Sequence, residues 1–323
     1  MGSTDPTWRI DITALNGSDY ILTTSCNPTK FTLNFLIIIV ALIGVAGNAV
    51  VLWLLGLRRN AFSVYILNLA GADFLFLCVN IGHSIQVIIS IFHPISISRF
   101  FNVLLNFAYL AGLSMLSAIS TERCLSALLP IWYRCRRPRH TSTAMCALLW
   151  TLSLILSILQ GEACGNLFNG FAHGWCKKLD HITFAWLIVL FVVLSGSSLA
   201  LMIRVFCGSH RIPVTRLYVT IALTVLVFLL FGLSYGIYWF FLDWNDDIYS
   251  FFPCSLFEIS AFLSCVNSCA NPIIYFLVGS IRHCRFQCQT LKVFLQRALQ
   301  DTPEEEESAE RASSGKSGEL ETV

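Results

Sequence analysis

Charge is what this chain most lacks. Only 12% of its 323 residues are Asp, Glu, Lys or Arg, while 56% are hydrophobic and 13% aromatic. A soluble domain is roughly half apolar and a quarter charged. A soluble fold of this size leaves about a quarter of its unfolded surface in water, and these residues have too little polar surface to cover it. The chain is therefore read as a membrane protein. Further absences narrow the class. No segment of about ten strictly alternating residues occurs, which excludes a closed transmembrane β-barrel. No metal-ligand cluster, nucleophile elbow or phosphate loop is present, so neither an enzyme nor a protein carrying a metal or cofactor is expected, and nucleic acid is not an expected partner. Residues 1 to 30 are polar and lack a central apolar run, so no cleavable signal peptide is expected and the first apolar segment acts as its own insertion signal. The opening MGSTDP fails the myristoylation pattern because position 6 is proline.

What is present is organised by the few charges. Seven windows are almost free of them: 31 to 57, 60 to 98, 100 to 121, 140 to 161, 181 to 203, 217 to 242 and 259 to 281. The shortest holds 22 residues, and an α-helix needs about 20 apolar residues to cross a hydrocarbon core of roughly 30 Å. Seven crossings follow, in an all-α bundle. The second window contains the one exception, Asp73, and its far end, IFHPISIS, reads as a short loop around Pro94. Four regions are expected: an extracellular segment over 1 to 30, the membrane bundle over 31 to 279, an amphipathic juxtamembrane helix over 280 to 299 and a disordered acidic tail over 300 to 323.

The loops set the orientation. With the amino terminus outside, sixteen of the 21 basic residues fall on the cytoplasmic side, leaving only Arg9, Lys30, Arg99, Lys177 and Lys178 outside. This satisfies the positive-inside rule for short loops and puts the carboxyl terminus in the cytosol, a multi-pass arrangement expected at the plasma membrane. Asn16-Gly17-Ser18 is the one glycosylation sequon without an intervening proline, and it falls in the segment expected outside. Nine acids, among them Glu162, Asp180, Asp243, Asp246, Asp247 and Glu258, lie on the outer side, so that face attracts cations. Cys26, Cys164, Cys176 and Cys254 face the oxidising side. A Cys164 to Cys176 bridge would close the intervening loop into a rigid lip. Four cysteines nevertheless allow three connectivities, and the pairing of Cys26 with Cys254 is not fixed by sequence.

Polar residues inside the windows carry the mechanism. An ionisable group in hydrocarbon costs at least a few kcal/mol, so Asp73 is expected to face the bundle. Asn48, Asn267 and Asn271 share its depth and offer amides to a carboxylate; a polar clasp joining three helices is the alternative reading. Pro272 alone among nine prolines sits deep in an apolar window, in Asn271-Pro272-Ile273-Ile274-Tyr275, and an interior proline kinks its helix. Glu122 and Arg123 form an adjacent acid and base where the third window ends; an arginine that merely snorkels is the plainer reading of Arg123.

Gly47-Asn48, Asn68-Leu69-Ala70-Gly71-Ala72-Asp73, Glu122-Arg123-Cys124, Trp150 and NPIIY occur in this order on the first, second, third, fourth and seventh crossings. In this the chain resembles the rhodopsin-like G-protein-coupled receptors over its whole membrane region. The stretches SMLSAISTERCLSALLPIWYRCRRPRH, GSSLALMIRVFCGSHRIPVTRLYVTIALTVLVFLLFGL and LQRALQDTPEEEE are similar to the Mas-related receptors, in the branch of sensory neurons and mast cells. The resemblance implies a receptor for cationic peptides or amphiphilic amines that activates Gq and, in some members, Gi, with arrestin and receptor kinases meeting its Ser/Thr tail. It implies that Arg123 engages the G protein once the sixth helix swings out, and that Tyr275 turns inward to support the open state, through a two-state bundle that an agonist biases.

Several departures from that pattern are visible. The tryptophan-proline switch of the sixth helix is replaced by Gly232 and Ser234, so its hinge is expected at Gly232 and Gly236. Gly112 stands where many such receptors place a serine beside a sodium ion, so no sodium site is expected around Asp73. No acid in GSHRIPVTRLY faces Arg123, which implies appreciable basal activity. In the family, carboxylates near the outer ends of the fourth and fifth helices receive the cation. Asp180 matches the second, four residues after Cys176, but the first position is Gln160, an amide without the charge that strengthens an ammonium contact. Tyr109, Trp239, Phe240 and Trp244 offer rings that hold a cation by roughly 0.5 to 2 kcal/mol; an interfacial aromatic belt is the alternative for Trp244. After the seventh crossing, SIRHCRFQCQTLKVFLQRAL has the apolar spacing and basic residues of a helix lying on membrane lipid, with Cys284 and Cys288 one turn apart as palmitoylation candidates. Two other classes stay open: a weakly signalling receptor-like protein, and a transporter, although the paired inverted halves of one are absent.

Overall fold

A computed structural model describes residues 17 to 56, 61 to 93, 99 to 135, 138, 140 to 165, 173 to 207, 216 to 242 and 255 to 280. Asn16, Trp244, Cys26, Cys254, the juxtamembrane segment after Ser280 and the acidic tail lie outside the residues whose backbone or side chains it describes. The described residues form the expected seven spans: Gly17–Gly56, Ala61–Phe92, Phe100–Leu128, Thr141–Ala163, His173–Cys207, a composite sixth span from Arg216 to Leu242, and Leu256–Ser280. Six of these helices are long and apolar enough to cross a membrane. The seventh is long enough, but Asn267, Ser268, Asn271 and Pro272 dilute its apolar run, and three of these four are buried against the other spans.

The bundle is built around the third span. Two thirds of its apolar window is buried, against 22% for the fifth, and it packs on the second, fourth and fifth spans. The first span packs on the second and seventh, and the seventh on the sixth. Large apolar side chains such as Trp53, Ile43 and Leu148 point outward, as helices in lipid require; among the buried positions, small residues let backbones approach. The buried face of the fourth span is Ser142, Cys146, Leu149, Ser153, Ser157 and Gly161. A side chain at Gly44 would collide with Cys269 Sγ and Leu77, while one at Gly47 would lie 3.2 Å from the Pro272 ring. The first span is thus seated directly on the part of the seventh that carries Pro272.

Two features were not expected from the sequence. A short helix, Pro130–Cys135, follows the third span immediately, with Leu129 breaking the helical path between them. In the sixth span, Arg216–Val227 and Leu233–Leu242 are joined by a π-helical turn, Phe228–Gly232. The sequence places the hinge here, at Gly232 and Gly236, without foreseeing an extra residue in the turn. Such π-turns are rare and cluster at functional sites.

Candidate functional site

The apolar core falls into two clusters. One gathers Leu55, Tyr65, Leu69, Leu116, Ile119 and Tyr275; the other gathers Ile37, Phe76, Leu105, Tyr235 and Cys265. Asp73 lies between them on the second span, midway between Leu69 and Phe76. Its carboxylate is buried and accepts a hydrogen bond of 2.7 Å from Asn271 Nδ2. Asn48 Nδ2 donates to the carbonyls of Gly44 at 3.0 Å and Ser268 at 3.1 Å, which ties the first span to the seventh. A cavity of about 30 Å³ adjoins Asp73, lined also by Tyr109, Gly112, Ser264, Asn267 and Ser268, with room for one or two water molecules. The structure therefore brings together Asp73, Asn48, Asn267, Asn271 and Pro272 as a polar layer between two apolar ones. This layer is where small changes in the relative positions of the first, second and seventh spans meet a buried carboxyl group.

At the end that the loop charges assign to the cytoplasm, Arg123 is buried and Glu122 is half-buried. Glu122 Oε1 accepts a hydrogen bond of 3.0 Å from the hydroxyl of Tyr65, a second-span tyrosine almost fully enclosed in the core. Tyr275 is likewise buried. Tyr65 was missed by sequence reasoning, because nothing in a tyrosine within an apolar run announces which way its hydroxyl points. Ile131 was missed too: it stands on the short helix after Leu129, beyond the third span, and is 80% exposed. On the fourth span, Trp150 Nε1 donates to Asn68 Oδ1 at 2.9 Å, fixing the second span to the fourth.

The opposite end holds the residues expected to meet a ligand. The expected Cys164 to Cys176 bridge is formed, with Cα atoms 4.8 Å apart. Cys176 lies within the fifth span rather than in the loop before it, because that helix begins already at His173. The bridge therefore staples two helix ends. Cys176 and Asp180 are one helical turn apart, and Asp180 faces the bridge, its Oδ2 lying 3.6 Å from Cys176 Sγ. Gln160 Nε2 donates to Asp180 Oδ1 at 2.6 Å, while the buried Gln160 Oε1 has no hydrogen-bond partner. Gln160 and Asp180 thus form one site, in which a charged acceptor is capped by an amide and an unpaired acceptor sits beside it.

The aromatic residues divide. Tyr109 does not line this site: its hydroxyl donates to the Gly232 carbonyl at 3.1 Å, in the middle of the bundle. Trp239 and Phe240 lie on the Leu233–Leu242 helix, their side chains outside the described residues. Glu258, counted from sequence among the diffuse outer charges, is instead buried in the first turn of the seventh span.

Comparison with known proteins follows the same lines. Residues 47 to 275 match the family described as 7 transmembrane receptor (rhodopsin family). Over 319 residues the chain is 61% identical to Mas-related G-protein coupled receptor member X2 of Mus musculus, covering 98% of this chain and 91% of that protein. It is 56% identical to Mas-related G-protein coupled receptor member B2 of Mus musculus, over 98% of this chain and 95% of the relative. It is also 56% identical to Mas-related G-protein coupled receptor member X2 of Macaca mulatta, over 95% of each.

Proposed function

The chain belongs to the Mas-related G-protein-coupled receptors of the rhodopsin family, a multi-pass membrane receptor and not an enzyme, and from that premise we propose that it senses cationic peptides or amphiphilic amines and activates Gq. Gi is the second G protein to assay. In this reading the receptor sits in the plasma membrane of sensory neurons or mast cells, amino terminus outside, with arrestin and receptor kinases acting on its cytoplasmic tail.

The observation that carries the ligand class is the pairing of Asp180 with Gln160 beside the disulfide. An ammonium or guanidinium group brings several N–H donors and a positive charge. Asp180 supplies the charge, and Gln160 Oε1 supplies a buried acceptor that has no partner. Leaving such an acceptor unfilled costs about 1 to 3 kcal/mol, so a donor placed there is favoured beyond its Coulomb attraction. The disulfide holds the fourth and fifth spans at the separation that this contact needs. The remaining steps follow from the elements already described: a ligand bridging those two spans biases the bundle, the sixth span opens, and Arg123 with Ile131 receives the G protein.

A calcium screen of cationic peptides and amphiphilic amines on expressing cells tests the reading. A response that Gq inhibition removes, and that Asp180→Ala abolishes, is expected. An unchanged concentration–response curve for Asp180→Ala refutes the role given to that carboxylate. A weakly signalling receptor is the second reading, favoured by the neutral Gln160, and a full screen without response would support it.

A further inference from the structure

We propose that Tyr109 is a positioning residue that latches the sixth-span hinge shut, by holding its hydroxyl across the turn that follows the π-helical segment. Three observations converge on it. The sixth span has neither a proline nor a tryptophan at its centre, but it does have the π-turn Phe228–Gly232, in which the backbone amide of Leu233 reaches back to the Phe228 carbonyl. An inserted residue of this kind loosens the ladder of backbone bonds and gives a helix a place to bend. The hydroxyl of Tyr109, from the third span, donates to the carbonyl of Gly232, the last residue of that turn, and lies against Gly236 one turn later. The third observation is steric. A β-carbon at Gly236 would lie 2.7 Å from the Tyr109 hydroxyl, and one at Gly232 would collide with the Phe228 ring and approach Asn267 to 3.1 Å.

The two glycines therefore serve different ends. Gly236 leaves room for the latch, and Gly232 leaves room for the Phe228 ring that folds back inside the π-turn. Tyr109 is well placed for this task because it also lines the cavity beside Asp73 and its ring packs at a tilt of 54° against Tyr235 of the sixth span, with centroids 5.1 Å apart. A shift of the third span draws the hydroxyl away from Gly232 and releases the turn. The two halves of the sixth span are then free to change their angle, while the rings of Tyr109 and Tyr235 keep the upper half in place.

The proposal rests on the receptor reading, and the test separates the two. Hydrogen–deuterium exchange of the 228 to 236 segment is measured on the full chain in nanodiscs without ligand, alongside basal nucleotide turnover on purified G protein. Tyr109→Phe removes only the hydroxyl. Loss of one hydrogen bond shifts an equilibrium by about five-fold, so exchange in that segment and basal turnover are both expected to rise by about that factor. Gly236→Ala, which displaces the hydroxyl sterically, moves both the same way. Tyr235→Phe serves as the control: its hydroxyl lies 3.5 Å from Asn106 Oδ1 of the third span and not on the Gly232 carbonyl, and it leaves exchange of the π-turn itself, residues 228 to 232, unchanged. Exchange that is the same in Tyr109→Phe and the parent overturns the latch, whatever G protein is used. Faster exchange with no turnover on any G protein, by parent or variant, supports the latch and counts against the coupling reading instead.

Discussion

Gln160→Glu offers the sharpest test of how this receptor meets its ligand. In the parent, Gln160 donates to Asp180 across 2.6 Å; in the variant a second carboxylate faces the first. Two unit charges about 4 Å apart interact by about 4 kcal/mol at an effective dielectric near 20. Both side chains are partly exposed, so screening by water removes much of that. A more conservative measure is the difference between a hydrogen bond to a charged acceptor, about 1.5 to 3 kcal/mol, and one to a neutral acceptor, about 1 kcal/mol. The balance is a gain of about 0.5 to 2 kcal/mol for a bound cation, or roughly two- to thirty-fold in potency. The assay is calcium mobilisation by an amphiphilic amine and by its uncharged alcohol analogue, in cells expressing the parent, Gln160→Glu and Asp180→Asn. The amine gains potency with Gln160→Glu and loses it with Asp180→Asn, while the alcohol is indifferent to both. If amine and alcohol shift together, or the amine does not shift at all, the charge argument is wrong.

Other consequences are open to equally direct measurement. Tyr65→Phe removes the hydroxyl that donates to the Glu122 carboxylate, and basal turnover in membranes should rise about ten-fold or more, the effect of losing a hydrogen bond to a charged acceptor. Replacing Cys164 and Cys176 together by serine opens a closure of 12 residues; a loop near this length is worth about 3 kcal/mol in the chain-entropy account. The melting temperature of the solubilised receptor should fall, whereas serine at the exposed Cys135 leaves it unmoved. Gly44→Val drives a side chain into Cys269 and Leu77, an overpacking that costs about 1 to 3 kcal/mol; surface expression should drop, and Cys269→Ala in the same chain should restore part of it.

The architecture was largely legible in the sequence because lipid imposes a simple rule. Seven helices could be placed wherever charges were scarce, and Asp73, Asn271 and Pro272 stood out as groups that lipid cannot hold. The Cys164 to Cys176 bridge was legible for a similar reason, since few cysteines lie at the outer ends. What stayed hidden depends on registry between helices. The π-turn at Phe228–Gly232 lies where the sixth span meets Tyr109 and Asn267, and no local propensity records it. Tyr65 reads as one more aromatic residue until the second and third spans are set side by side. Glu258 looked like surface charge, because its position at a helix start fits an exposed acid as well as a buried one.

The seating of Gly47 on Pro272 has a mechanical consequence. It makes the seventh span a lever with a fulcrum about two thirds of the way along. From Glu258 to Pro272 the helix runs about 21 Å, and from Pro272 to Ser280 about 12 Å, at 1.5 Å per residue. A swing about that pivot is geared down: a displacement of about 2 Å at Glu258 arrives at Ser280 as about 1 Å, and at Tyr275, only three residues from the pivot, as less than half of that. A rocking motion of this helix therefore carries little signal to the inner face. On the reading proposed above, in which Tyr275 turns inward, the segment beyond Pro272 turns about its own axis and the larger translation comes from the sixth span.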